Sequence, residues 1–315
     1  MKKILIPLLT ILFTISAMAQ SSANLKLNLE KNKVYRLKNH SEQTVNQTVN
    51  GIQQTVETKV DYSISLKMID ATPNFIIAEV HFDTLITNTN SMGKIVSISS
   101  AVEGNMKSSE IGDIISCIMH RLSRNTVYAK LDFTGKPVEI VNGKMLSELI
   151  IKDTSDITLA GTTASTVKKQ IISTISEENL KTMIGMFTWR LPAKEVSVGE
   201  DWKMTQQTNS GGMKLDIMTT NHLEKISGND AVISAESKIR AADNAAPLLS
   251  GGATITYDNL QGVSKSNLVI DITTGLALAD KSETHISGTL GISGPGFSMQ
   301  MPMDIRGESS VSTLK

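Results

Sequence analysis

The chain has 315 residues, with 31 basic and 31 acidic side chains, and its only cysteine is Cys117. The balanced charge excludes the basic surface expected of a protein that binds nucleic acid or an anionic membrane, and a single cysteine excludes an intramolecular disulfide. Aromatic residues make up only 4% of the chain, against 15 methionines, so its apolar content is mainly aliphatic.

The N-terminus has the pattern of a secretory signal peptide at residues 1–19. A basic start at Lys2 and Lys3 precedes a long apolar stretch, and Ala17 and Ala19 are the small residues expected before a cut at Gln20. No cysteine follows the cut, so the bacterial lipid-attachment signal is absent. We therefore expect an exported mature chain, periplasmic or extracellular, with no lipid anchor and no transmembrane segment. The alternative, an apolar core helix, fits the basic start and the cleavage site less well.

Residues 20–143 are predicted to form a first β-rich half. Apolar and polar residues alternate in Lys59–Met68 and again in Ile76–Thr87, and a period of two residues indicates strands with one buried face. The residues between them, Asp70–Asn74, are typical of a turn, so the two strands should form a hairpin. One segment of this half, at about 109–123, has instead the spacing of an amphipathic helix. Its apolar stripe consists of Ile111, Ile114, Ile115, Ile118 and Leu122.

Residues 144–190 are predicted to form a helical connector. Its helical segments lie within 144–187, where Ser176 is placed as an N-cap with two acidic residues after it. The apolar stripes consist of Val167, Ile171, Ile175, Leu180, Met183, Ile184 and Phe187. Such stripes have to be buried, so we expect the helices to cover a sheet face.

Residues 191–315 are predicted to form a second β-rich half that repeats the first. Leu27–Arg36 and Val196–Met204 both place alternating aliphatic residues before a polar turn and an aromatic residue, and each half later reaches a turn with Asp132 or Asp271 and a glycine. We therefore predict an α+β fold. It consists of a curved antiparallel β-sheet built from two related halves, with helices at about 109–123 and 144–187 packed on one face.

The C-terminal stretch Phe297–Ile305 places Met299, Met301 and Met303 on alternate positions. A four-residue turn at 293–296 would fold it back on the preceding strand and pair Leu290 with Met299 on one face. Unbranched thioethers fill irregular apolar space well, so this stripe is predicted to face the core or the wall of a ligand cavity. The alternative is a Cu(I) site, because thioethers select soft Cu(I).

Pro302 interrupts the same stretch. Proline lacks the N–H that a central strand donates, so its presence indicates an edge or bulged strand at the side of the sheet.

The sequence motifs indicate no catalytic, metal or cofactor site. The five histidines are scattered without metal-ligand spacing, and neither a nucleophile elbow nor a phosphate-binding glycine loop occurs. Asp132 and Asp271 are better explained as turn residues than as acid–base partners, because a tight turn favours aspartate and glycine. We expect no cofactor and favour a protein without enzymatic activity, while a triad assembled in three dimensions stays open.

Four segments resemble those of a family of uncharacterised secreted proteins of Bacteroidetes. They are Leu27–Arg36, Ser108–Arg124, Leu131–Gly143 and Leu191–Met204. The last contains the pattern P-x-K-x-V-x-V-G-x-x-W, from Pro192 to Trp202. The resemblance implies a signal peptide and duplicated antiparallel β halves. Since that family has no established activity, it implies none here.

Together these observations predict a non-enzymatic envelope protein that binds an apolar or amphiphilic ligand between the sheet and the helices. The residues expected to bind the ligand are Met299, Met301, Met303, Leu290, Ile118 and Leu122. Two alternatives stay open: an envelope scaffold or protein-interaction module with a packed core, and Cu(I) binding through the methionines. A small apolar or lipid ligand is the expected partner, and nucleic acid is not.

Overall fold

The computed structural model describes residues 21–49, 51–157, 161–210, 213–243, 245, 247–250 and 253–314. The predicted signal peptide lies outside the described residues. Long antiparallel strands dominate the described part of the chain. The strands are β1 (Ser22–Leu25), β2 (Val34–Val49), β3 (Ile52–Ala71), β4 (Ile76–Ser91), β5 (Lys94–Ser99), β6 (Val127–Leu131), β7 (Pro137–Ile140), β8 (Lys194–Ser197), β9 (Asp201–Ser210), β10 (Met213–Ser227), β11 (Asp230–Ala241), β12 (Leu248–Ser250), β13 (Ala253–Asp271), β14 (Ala277–Gly294) and β15 (Phe297–Leu314).

Thirteen of the described strands form one sheet, in the order β7-β6-β4-β3-β2-β15-β14-β13-β11-β10-β9, with β5 and β12 added beside β4 and β13. The order contains two runs of five strands with the same arrangement. The first run is β7-β6-β4-β3-β2, and the second is β14-β13-β11-β10-β9. The strand β15 lies between the two runs and pairs with both β14 and β2. The two strands that precede the runs, β1 and β8, pair with each other in a separate small sheet.

Within the described residues, four helices lie at positions that agree with the helical spacing in the sequence. They are α1 (Ile111–Ser123), α2 (Gly143–Ile151), α3 (Gly161–Thr174) and α4 (Glu177–Thr188), with a short 3-10 turn at Thr154–Asp156. The helix α1 packs against β4 and β5, and α4 packs against β7 and β2. Their apolar residues join those of the sheet in the main core, where Phe82, Ile118, Leu122 and Phe187 are fully buried.

The α+β assignment is wrong, because the protein is mainly antiparallel β. The strands β2, β3 and β4 alone hold more residues than the four helices together. The sequence conceals this because the far ends of the long strands are polar on both faces. Ile52–Thr58 at the start of β3, for example, is rich in Gln and Thr and shows no apolar alternation.

Asp132 and Asp271 each hold a turn together, as the sequence predicts. The Asp132 carboxylate accepts hydrogen bonds from the backbone N–H groups of Thr134 and Lys136, at 2.8 and 3.0 Å. The Asp271 carboxylate accepts from the Thr273 N–H at 3.0 Å and from the Thr274 hydroxyl at 2.7 Å. Both carboxylates are therefore used to hold a turn between neighbouring strands.

The methionine strand β15 has the predicted face but a different register. The turn is only two residues long, so Gly294 pairs with Phe297 and Leu290 pairs with Met301 instead of Met299. Gly296 has φ +82°, which suits the third position of a type II turn after a proline. Because the register differs by two residues, each methionine keeps the predicted side of the sheet.

The strand β15 lies in the middle of the sheet, between β2 and β14. The prediction that it lies at the side of the sheet is therefore wrong. Its pairing with β2 extends from Met303 to Leu314. Pro302 directly precedes this paired stretch and lies where β15 has only β14 beside it. The strand is thus a local edge at the proline, which is why the missing N–H costs no ladder hydrogen bond to β2.

A second apolar cluster lies on the same face, beyond the helices. It consists of Leu215, Ile239, Leu260, Ile286, Met303 and Ile305, each at most 8% exposed. These residues come from β10, β11, β13, β14 and β15, and none of the helical residues whose side chains are described belongs to the cluster. Because a flat sheet would leave them in water, the sheet must curl so that its own side chains cover one another.

Candidate functional site

A cleft of about 640 Å³ lies between α4 and the face of the sheet that carries both apolar clusters. One wall is formed by Glu178, Lys181, Gly185 and Met186 of α4, together with the following residues Trp189 and Arg190. The other wall is formed by side chains of β2, β9, β10, β11, β13, β14 and β15. The sheet wall of the site is built by strands of both halves, because β2 belongs to the first half and β9, β10, β11, β13, β14 and β15 belong to the second.

The sheet wall is built of side-chain rows that differ in polarity, counted from the row that contains Asp280. Residues that are paired across strands share a face, and successive rows are about 6.8 Å apart. The first row has Asp280 between Val311 and Leu268, and the second has Ser282 between Ser309 and Ser266. The third row is again rich in hydroxyls, and the fourth is apolar. Their members are Thr284, Ser264, Ser237 and Thr219 in the third row, and Ile305, Ile286, Ile239 and Ile217 in the fourth, of which Ile239 and Ile217 line the cleft.

The hydroxyl rows are held by hydrogen bonds between neighbouring strands. Thr219 and Ser237 are 2.8 Å apart, the Thr284 hydroxyl donates to Ser264 at 2.8 Å, and Ser282 and Ser309 are 2.8 Å apart. A hydroxyl both donates and accepts, so each of these groups keeps hydrogen-bonding capacity for a ligand in the cleft.

A buried ion pair forms the base of the cleft. Arg190 Nη1 lies 2.6 Å from Asp280 Oδ2, with the side chains 19% and 6% exposed. Arg190 Nη2 also donates to the Met186 carbonyl at 2.5 Å, which ties the pair to the end of α4. Burial raises the pKa of Asp280, and the guanidinium of Arg190 opposes this shift.

Three buried polar atoms of cleft-lining residues lack a hydrogen-bond partner among the described residues. They are Arg190 Nε, Asp280 Oδ1 and Asn221 Nδ2. Asn221 is only 4% exposed and lies beside Trp202, whose buried Nε1 is also unpartnered. Buried polar groups are hydrogen-bonded in most proteins, so hydrogen bonding among the described residues is least complete at the base of this cleft.

Charged groups at the mouth of the cleft are already partnered or lie in water. Lys136 is exposed and has its ammonium 4.8 Å from the centre of the Trp189 ring. Lys181 pairs with Glu177 at 2.6 Å, one turn earlier on α4. The Arg190–Asp280 pair is therefore the only buried ion pair among the cleft-lining residues that the structure describes.

The six ligand-binding residues predicted from the sequence do not form one site. Ile118 and Leu122 are fully buried in the main core. Met303 belongs to the second cluster and Leu290 packs against it, while Met301 is buried and Met299 is half-buried. None of the six lines the cleft, although Met303 lies one row beyond its apolar fourth row.

The residues at the base of the cleft were missed, yet two of them leave a signal in the sequence. Asp280 lies on the same alternating set of strand positions as Ile286 and Leu290, and Asn221 lies on the same set as Leu223. Polar residues on a buried phase are uncommon and deserve a functional explanation. Arg190 carries no such signal, because it follows a helix and reaches the cleft only through the tertiary fold.

Histidine and cysteine side chains lie away from this cleft. His40 pairs with Asp61 at 3.0 Å and His222 with Asp201 at 2.6 Å, while His285 pairs with Asp304; none of these residues lines the cleft. Cys117 is buried in α1, and burial raises the pKa of its thiol. Within the described residues, no three His, Cys, Asp or Glu side chains gather as a metal site.

The model of a family of unknown function, DUF6263, matches residues 73–277. This range is more than half of the chain. The chain belongs to the DUF6263 family. Membership confirms the expectation of a family without an established function, and none of the curated proteins compared matches the chain.

Some solved structures have a weak similarity to this DUF6263 protein. The COG4313 outer membrane channel from Pseudomonas putida F1 is 8% identical over 91% of this chain and 97% of that chain, with a TM-score of 0.27. OccK11 (OpdR) from Pseudomonas aeruginosa is 6% identical over 91% and 99%, with a TM-score of 0.19. Scores this low carry no argument about fold or function. Among the helices of the described residues, none combines the length and apolar character that a membrane-spanning helix requires.

Proposed function

We propose that the protein is a non-enzymatic envelope protein that binds a small amphiphilic ligand in the cleft between α4 and the sheet. The observation that carries this proposal is the order of side chains along one wall. A buried ion pair is followed by two hydroxyl rows and then by an apolar row. An amphiphile has the same order of polarity, from its head group to its tail.

The size and lining of the cleft support a ligand of this kind. Small-molecule sites typically have volumes of about 300–1,000 Å³ and few, well-placed polar groups, and the cleft of about 640 Å³ lies within that range. Each Å² of apolar tail surface removed from water contributes roughly 25 cal/mol. Ile217 and Ile239 of the fourth row line the cleft and provide the apolar surface for the tail.

The ligand-binding function is tested by native mass spectrometry of the purified protein before and after organic extraction. We expect an extractable mass of a few hundred daltons before extraction, roughly what a cavity of this class holds. The variant Ser266→Trp should abolish this mass, because Ser266 lies in the second row. Asn267→Trp is the matched control, since Asn267 is the next residue of β13 and is exposed on the opposite face.

Two results would contradict the proposal. If the wild-type protein carries no extractable ligand and binds no added amphiphile, the cleft is not a binding site, and the scaffold function becomes the better explanation. If Ser266→Trp and Asn267→Trp behave alike while both remain folded, a ligand is bound at some other place.

The proposed location of the mature chain is the periplasm or the extracellular medium, after removal of residues 1–19. The basic start, the apolar stretch and the small residues before Gln20 support this proposal. N-terminal sequencing of the protein recovered after expression with its native leader should begin at Gln20. An intact Met1 on the folded protein would contradict export by this route.

A further inference from the structure

We propose that the ligand carries an uncharged head group with several hydroxyls, held by the Arg190–Asp280 pair and Asn221. This inference rests on the proposed amphiphile-binding function and specifies its ligand class. It follows from the charge of the cleft base, from the atoms that lack partners there and from the hydroxyl rows beside them.

The charge of the base disfavours an ionic head group. Arg190 and Asp280 neutralise each other, and burial leaves little water to solvate an additional charge. A carboxylate or phosphate that approaches Arg190 also approaches Asp280, and an ammonium that approaches Asp280 also approaches Arg190. The remaining charged groups of the lining do not alter this balance, because Glu178 and Lys136 are exposed and Lys181 is paired with Glu177.

The unpartnered atoms require a group that both donates and accepts. Arg190 Nε is a donor without an acceptor, and Asp280 Oδ1 is an acceptor without a donor. They belong to the two groups of one ion pair, whose Nη1 and Oδ2 atoms are 2.6 Å apart, so both lie at the base of the cleft. Hydroxyls satisfy both a free donor and a free acceptor, whereas a carboxylate only accepts and an ammonium only donates.

A second acceptor is needed further along the sheet wall, three strands from Asp280. Asn221 Nδ2 is a buried donor without a partner, and its row continues through Ala235 to Ser266 and Ser282. The serine hydroxyls of this row provide further donors and acceptors. A head group with several hydroxyls satisfies Asn221 and the serines together, while a single hydroxyl or amide leaves part of this row without a ligand partner.

The test is a binding titration with amphiphiles that share a dodecyl-length tail and differ in head group, followed by the fluorescence of Trp189 at the mouth of the cleft. The probes are monolauroylglycerol, laurate, dodecyltrimethylammonium and lauramide, each below its micellar concentration. We expect monolauroylglycerol to bind at least about tenfold more tightly than the charged probes, because these leave buried polar atoms unpaired. Lauramide should be intermediate.

Three variants assign this preference to the base of the cleft. Asn221→Leu removes an unpartnered donor with little change in volume and should weaken monolauroylglycerol binding about fivefold or more. Asp280→Asn should reduce the preference over laurate, because the opposing carboxylate charge is removed. Asp304→Asn is the matched control and should bind as the wild type does, since Asp304 pairs with Arg306 at 3.1 Å and lies outside the cleft.

The outcomes separate this inference from the function on which it rests. Equal binding of all four probes, or tightest binding of laurate, overturns the uncharged head group but leaves amphiphile binding intact. Lauramide binding as tight as monolauroylglycerol binding overturns the requirement for several hydroxyls. Unchanged binding by folded Asn221→Leu shows that water completes the base of the cleft, and absence of binding by every probe overturns both proposals.

Discussion

Gly135 shows how a single residue maintains the contact between the two halves of the chain. It has φ +83°, and a Cβ placed on it would lie 2.0 Å from the carbonyl oxygen of Thr188. Its counterpart Gly275 has φ +77°, and its Cβ would lie 2.4 Å from the carbonyl oxygen of Lys26. The turn of each run thus packs on the backbone that leads into the other run.

We expect Gly135→Ala to lower the free energy of unfolding by about 3 kcal/mol or more, as the sum of left-handed backbone strain and a backbone clash. Gly228→Ala is the control, because Gly228 has φ +61° and no atom within 4 Å of its added Cβ. That control should lose only about 1 kcal/mol. Urea unfolding measures both, and equal losses would show that the contact with Thr188 does not constrain position 135.

Asp280 makes stability depend on pH in an unusual direction for an acidic residue. Because burial raises its pKa in the folded protein, the folded state binds this proton more tightly than the unfolded chain does. Wild-type stability relative to Asp280→Asn should therefore fall as the pH rises from the unfolded pKa of aspartate through the raised folded pKa. Urea unfolding of both proteins from about pH 3 to about pH 8 measures this difference. A difference that grows in favour of the wild type as the pH rises would show that Arg190 outweighs burial.

At the scale of elements, α4 determines whether the cleft has a second wall. It begins after Ser176, whose hydroxyl oxygen accepts from the Asn179 N–H at 3.3 Å, and Glu177 and Glu178 follow in the first turn. Ser176→Ala should cost about 1 kcal/mol of stability, and Ser176→Asp should restore it because aspartate also caps helices. Thermal or urea unfolding tests this pair. If Ser176→Asp is no more stable than Ser176→Ala, the cap does not hold the helix.

The elements also show what periodicity predicts and what it leaves open. Alternation in β15 correctly predicts which face carries Met303, because the face depends only on whether a residue has an odd or an even position along the strand. It does not predict the register, which depends on whether Pro295 and Gly296 form a two-residue turn or belong to a longer one. The helices are recognisable because their apolar stripes are buried along most of their length, whereas β2 and β3 continue into polar stretches without a pattern.

The candidate site was less predictable than the fold because its parts come from distant elements. Arg190 and Asp280 are joined only by the packing of the residues after α4 on β14, and no spacing in the sequence relates them. The sequence predicts the ligand beside the methionines, because they alternate with the period of a strand that has one buried face. In the structure Met303 lies in the packed second cluster, Met301 is buried and Met299 is half-buried, while the open volume lies beside the polar rows.

At the scale of the whole molecule, the two runs of strands are not separate units. The last strand, β15, pairs with β2 of the first run, and β1 pairs with β8. The backbone N–H groups of Leu27 and Asn28 donate to the carbonyl oxygens of Phe133 and Thr274, at 2.9 Å each. The segment between β1 and β2 is therefore hydrogen-bonded to the turns of both runs. Each run therefore depends on the other for edges, turns and core.

This dependence predicts that the chain unfolds in one transition and that its halves do not fold alone. A fragment of residues 191–315 exposes the β15 edge, removes Lys26 from the Gly275 turn and leaves Asp280 without Arg190. We expect this fragment and the fragment of residues 20–190 to show no cooperative urea unfolding separately, and to regain it when mixed. For the intact chain, far-ultraviolet circular dichroism and tryptophan fluorescence should give coincident transitions, as two-state unfolding requires. Two resolved transitions, or a cooperatively folded 191–315 fragment, would show that the halves are independent domains joined by a shared sheet edge.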